Sequence, residues 1–116
     1  MKTARDPRHL KRAHLIQELF TLGFHSEKKP PKDLLPIIKF LDKIDEVIKK
    51  SAPLWPINKI NRIDLAILRL AVFELLLNSA PQKVVADEAV ELAKEYGSNS
   101  SPSFVNGVLG KVIQNV

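Results

Sequence analysis

Residues 61–77 read NRIDLAILRLAVFELLL, and this single run decides the fold. Ile63, Ala66, Ile67, Leu70, Ala71, Phe73 and Leu77 cover so much of a helical circumference that the helix must be surrounded by others. Asn61 stands where an N-cap belongs, and Asp64, three residues on, is a shorter relative of the capping-box acid. Asp64, Arg69 and Glu74 interrupt the apolar residues, so the run is too short and too charged to span a bilayer. It is the hub of a helical protein.

Working toward the C-terminus, Asn78 to Gln82 holds Ser79 and Pro81 and turns the chain. The next helix starts at Val84 or Val85 and ends at Tyr96, with Ala86, Ala89, Val90, Ala93 and Tyr96 inward and Gly97 as its C′ residue. Its outer face carries Asp87, Glu91 and Glu95 at four-residue intervals, a stripe that fits either a basic protein partner or plain solvation. Ser101 and Pro102 form an N-cap and N1 pair, and Phe104, Val105, Val108, Leu109, Val112 and Ile113 carry a last helix to the end. Gly107 and Gly110 cost roughly 1 kcal/mol each against alanine inside that helix, which asks for a close approach by another helix or by RNA.

Working toward the N-terminus, Pro53 and Pro56 bracket Leu54 and Trp55 in a turn that the indole is expected to pin to the core. Asp33 is placed to cap a helix through Lys50, along which Leu34, Ile37, Ile38, Leu41, Ile44, Val47 and Ile48 repeat at helical spacing, with Pro36 in the first turn. His25 to Lys32 is a polar, proline-bearing joint. A first helix begins at Pro7 or Arg8 and runs to Leu22, with Leu15, Ile16, Leu19, Phe20 and Leu22 as its apolar stripe and Gly23 ending it. No segment alternates with a period of two, so the five helices make an all-α protein.

Composition agrees with one globular domain over residues 1–116: 45% hydrophobic residues, 27% charged. There is no cysteine, which removes disulfides and thiol chemistry and suits a reducing cytosol. Met1 to Arg12 has no apolar core after its charges, so it does not read as an export signal, and a cytoplasmic protein is expected. The net charge of +5 is uneven: residues 1–58 hold 12 Lys+Arg against 7 Asp+Glu, and residues 59–116 hold 6 of each. Residues 1–12 form a basic arm with Lys2, Arg5, Arg8, Lys11 and Arg12 against Asp6 alone. Such an arm is either a solvated terminus or a phosphate contact that gains affinity by releasing counterions. Arg8, Lys11 and Arg12 lie three and four apart and share a helical face.

Chemistry is conspicuously missing. His9, His14 and His25 are spaced by five and eleven, which does not put two imidazoles on one helical face as a zinc site would require. No G-x-S-x-G, P-loop or G-x-G-x-x-G is present, so no metal, no cofactor and no enzymatic activity are expected.

From Asn61 onward, about half of the chain, the residues closely resemble a known family, and the first helix does so more loosely. Arg62-Ile63-Asp64, Ala66-Ile67-Leu68-Arg69-Leu70-Ala71, Phe73-Glu74-Leu75, Lys83-Val84-Val85, Asp87-Glu88-Ala89-Val90-Glu91-Leu92-Ala93-Lys94 and Phe104-Val105-Asn106-Gly107-Val108-Leu109 are similar to the most recognisable segments of NusB proteins, in order and at the right separation. The resemblance implies a bundle of two small packed sub-bundles and no catalysis. It implies binding of single-stranded boxA RNA from ribosomal RNA leader transcripts together with NusE, a small-subunit ribosomal protein, within the RNA polymerase antitermination complex. A monomer or weak homodimer, away from any membrane, is expected. Carried over by position, Arg8 and Arg12 match basic positions of the first helix, with Lys11 and Arg5 beside them. Phe20 and Phe104 match aromatics near the RNA, and Glu74 matches a glutamate near the protein partner, to which Asp87 and Glu91 of the acidic stripe are added. Two departures stand out: the N-terminal sub-bundle is short, as if one helix were missing, and Asp6, Pro7, His9 and Leu10 interrupt the arginine run. Two other functions compete, a protein-interaction adaptor without RNA binding and a detached helper domain like that of RNA cytosine methyltransferases.

Overall fold

The computed structural model describes residues 6–24 and 29–115, with Phe24 described by its backbone alone. Six α-helices and two 3-10 turns follow in order: α1 (Pro7–Phe24), α2 (Leu35–Lys39), α3 (Leu41–Ser51), α4 (Arg62–Leu77), α5 (Gln82–Tyr96) and α6 (Ser101–Asn115), with the turns at Lys32–Leu34 and Ile57–Lys59. Among the described residues there is no strand, and no helix is long and apolar enough to cross a membrane. The all-α expectation holds.

α4 is the hub, packed against α1, α3, α5 and α6. Its Ala66, Ile67, Leu68, Leu70, Ala71, Val72 and Leu75 are all buried. Asn61 caps it as expected, its Oδ1 accepting from the backbone N–H of Ile63 at 2.9 Å and of Asp64 at 3.4 Å. Asn78 ends it at φ 55°, ψ 39°, a left-handed position that asparagine tolerates better than most residues. α1 begins where Asp6 and Pro7 dictate. The Asp6 carboxylate accepts from the Arg8 N–H at 2.9 Å, so a residue that reads as a flaw in the basic arm is a helix cap.

Several local expectations need correction. The stretch expected as one helix from Asp33 to Lys50 is broken at Phe40, whose φ −105°, ψ 12° leaves the helical region. Neither glycine nor proline marks the break, and the apolar spacing runs through it. The ring of Phe40 instead tilts against Phe73 of α4 at 6.4 Å. Asp33 caps nothing: Pro31 precedes the 3-10 turn, and the Asp33 carboxylate faces His14 at 3.6 Å. α1 passes through Gly23 to Phe24, and α5 starts at Gln82 rather than Val84. Tyr96, expected inward, is exposed. Ser101 lies inside α6; its buried hydroxyl accepts from the Ser98 N–H at 2.9 Å.

The glycines divide by cause. Gly97 is extended (φ −95°, ψ −169°) rather than left-handed, so it is not the αL residue expected of a C′ glycine. What requires glycine is space, since a Cβ there would meet the Ser101 side chain at 2.5 Å and the Ala93 carbonyl at 2.8 Å. At Gly107 and Gly110 a Cβ would meet nothing within 4 Å, which removes close helix packing as their reason. Gly97→Ala is therefore expected to destabilise the protein by about 1–3 kcal/mol, and Gly107→Ala to stabilise it by up to about 1 kcal/mol. Urea midpoints moving in opposite directions would check both.

Candidate nucleic-acid interface

The first turns of α1 sort the basic residues into two kinds. Arg8 and Lys11 point to solvent, and Arg8 is 82% exposed, held loosely by Asp6 at 3.3 Å. Its guanidinium, with hydrogen bonds from both side chain and backbone, keeps the Asp6 carboxyl below the usual range. Arg12 does the reverse. Its Nε and Nη2 donate to the two oxygens of Glu74 at 2.8 and 2.7 Å, and its Nη1 lies 3.7 Å from Glu88. Both side chains of the Arg12–Glu74 pair are largely covered, at 12% and 13% exposure. Arg12, expected to offer its guanidinium to phosphate, and Glu74, expected to offer its carboxylate to a protein, are brought together in one bidentate pair joining α1 to α4. Arg5 lies outside the described residues.

His9, absent from the expected site, completes this buried group. Its Nδ1 is 3.1 Å from Glu88 Oε2. Its Nε2 is 2.7 Å from Glu95 Oε1, an ion-pair contact. The hydrogen bond to Glu88, which outweighs burial, and then the charge of Glu95 raise the His9 pKa above 6.5. No sequence pattern announces this pairing, because the partners stand 79 residues apart. Contact with Glu95 seats the start of α1 beside the C-terminal end of α5, next to the 97–100 connection to α6.

That connection borders a pair of aromatic rings, the exposed Trp55 and the partly buried Phe104. Trp55, expected in the core, is 52% exposed; Ala52 and Ile60 are the residues that bury this segment. The indole stands edge-on to the Phe104 ring at 5.9 Å and 78°. On one side of the pair opens a cleft of about 300 Å³, lined also by Leu54, Gly107 and Lys111. On the other lies a cleft of about 450 Å³, lined by Lys59, Asp64, Ser98 and Ser100. Asp64 is buried beneath it with Oδ1 unpartnered, and burial pushes its carboxyl pKa up despite a hydrogen bond from Ser101. Two flat rings between two lysines are what a stacked nucleobase and its phosphates require.

The remaining expected residues sit elsewhere. Phe20, 36% exposed, lies roughly 18 Å along α1 from Arg8, at 1.5 Å per residue, so it does not join the cluster of Arg8 and Lys11. Asp87 and Glu91 are solvent-facing on α5 and pair with their own helix neighbours Lys83 and Lys94 at 3.5 and 3.4 Å. Such exposed pairs contribute little stability and leave the stripe nearly neutral.

Two predictions follow from the buried group. Arg12→Ala should destabilise the protein by about 2–3 kcal/mol, because Glu74 is left half-buried without its donors, and Glu74→Ala in the same chain should cost less than the sum of the two single changes; a double-mutant cycle reads the coupling. The raised His9 pKa adds stability that is complete below about pH 6.5 and is lost as pH rises through the folded value. Chemical denaturation across that range should show the advantage of wild type over His9→Gln shrinking with pH, and an advantage that grows would contradict the pairing.

Comparison with known proteins agrees with this architecture. The NusB family model matches residues 35–114. The transcription antitermination protein NusB of Chloroflexus aggregans is 52% identical over 73 residues, covering 60% of this chain and 49% of its own length. That of Dehalococcoides mccartyi is 49% identical over 77 residues, covering 66% and 54%. The chain thus spans about half the length of the curated relatives it matches. Among solved structures, NusB of T. maritima superposes with a TM-score of 0.85 at 30% identity, covering 98% of this chain and 93% of that one. With a family model over more than half of its residues and the same helical architecture, this chain belongs to the NusB family.

Proposed function

We propose that this protein is a cytoplasmic, non-enzymatic transcription antitermination factor that binds single-stranded boxA-type RNA of ribosomal RNA leader transcripts together with NusE. The observation that carries the reading is the exposed Trp55 ring set edge-on to the partly buried Phe104, with Lys59 and Lys111 lining the clefts beside them. Stacking suits unpaired bases, which are how proteins read RNA sequence. Gly107 fits the same reading: a helical glycine with open space above it, in the cleft beside those rings, allows a sugar–phosphate backbone to come close. Arg8 and Lys11 supply the phosphate contacts, with Arg5 ahead of them, while Arg12 acts by holding α1 in place. Phe20 serves at a separate position on α1. The Asp87 and Glu91 face of α5 is offered to a protein partner. The function is that of one domain over residues 1–116, acting as a monomer or weak homodimer.

The test is equilibrium binding of a fluorescent boxA-like RNA, with and without NusE, over a salt series. Joint Arg8→Ala and Lys11→Ala substitution should flatten the slope of log K against log salt by about 1.4, at roughly 0.7 per phosphate on a single strand. Trp55→Ala should weaken binding by about 1–3 kcal/mol with the slope unchanged, as expected for a lost stacking surface. Gly107→Ala should weaken it while stabilising the fold. RNA binding that none of these changes alters would overturn the assignment of these residues, and undetectable RNA binding with and without NusE would sink the reading in favour of a protein-interaction adaptor.

A further inference from the structure

On the flank of α1, the chain brings together three side chains that the RNA reading does not use. His14 and Glu18 are one helical turn apart, and Asp33 reaches them from the 3-10 turn that follows the connection after α1. His14 Nε2 lies 3.3 Å from Glu18 Oε1 and 3.6 Å from Asp33 Oδ2, and the three ligating atoms all fall within 4.8 Å of one another. No other trio of His, Cys, Asp or Glu among the described residues comes together in this way.

We propose that His14, Glu18 and Asp33 form a binding site for a divalent transition-metal ion, zinc first. The separations decide for a metal. Four ligands at zinc–nitrogen and zinc–oxygen distances of about 2.0–2.2 Å stand about 3.3–3.6 Å apart at tetrahedral angles. The two distances from the imidazole already match, and the carboxylate oxygens lie within 4.8 Å of each other, with Asp33 exposed enough to adjust. Charge points the same way. Two carboxylates share one imidazole, and Glu18 Oε1 is buried with no hydrogen-bond donor. A dication between them would give both carboxylates a partner. One nitrogen and two oxygens suit zinc and its first-row neighbours rather than calcium or magnesium, which want a shell of oxygens. A cleft of about 360 Å³ lined by His14, Glu18, Gln17 and Lys29 leaves the fourth position to water. Binding is through one ring nitrogen of His14 and one oxygen of each carboxylate. Its effect is to fasten the middle of α1 to the start of the next segment.

Calorimetric titration of zinc chloride into the chelator-treated full chain at pH 7.5 tests this, with cobalt as a spectroscopic reporter of four-coordinate geometry. One equivalent should bind saturably and raise the thermal midpoint. His14→Ala and Asp33→Asn, both at exposed positions that the fold does not need, should each weaken binding by roughly tenfold or more, with helical circular dichroism unchanged. The site is refuted if wild type takes up no zinc saturably, or if both variants bind it as tightly as wild type. Neither result bears on RNA binding, which rests on other residues.

Discussion

Everything in this protein depends on burying α4. A helix with apolar side chains on almost every side has no stable exposure to water, and the only remedy open to an all-helical chain is to wrap it in other helices. α1, α3, α5 and α6 do so. The chain's connections follow from that demand: a left-handed Asn78 turns it from α4 to α5, and the tight Gly97–Ser101 contact turns it from α5 to α6. Because the last two turns are short, the start of α6 is brought back over the segment that precedes α4. Phe104 thereby meets Trp55.

The second constraint is electrostatic. α1 covers the hub with a helix that starts among positive charges, and its inward face includes His9 and Arg12. Burying these groups unpaired would cost several kcal/mol; Glu74 and Glu88, with Glu95 at the edge, answer them. The pairing divides the basic arm by function. One arginine holds the structure, while Arg8 and Lys11 keep their charge toward solvent. A surface that looks uniformly basic in the sequence is therefore narrower in the fold.

Much of this was legible in the residues. The apolar wheel of residues 61–77 called for a surrounded helix; Asn61 marked where it began, and the C-terminal segments pointed to the NusB family, to which the chain belongs. What misled was position without context. Trp55 has the size of a core residue, but two prolines hold its turn at the surface, so bulk alone did not determine burial. The break at Phe40 left no trace because apolar spacing records which face is buried, not whether the backbone stays helical.

The sequence by itself determined the helical class, the hub and most helix ends, because periodicity and capping act over a few residues. It also determined that the N-terminal end would be basic. Only the tertiary structure decided which of those charges remain available, since Arg12 and Glu74 are 62 residues apart and His9 and Glu88 are 79 apart. A charge is spent or spared according to what lies across from it in space, and long-range contact of that kind has no local signature in the chain.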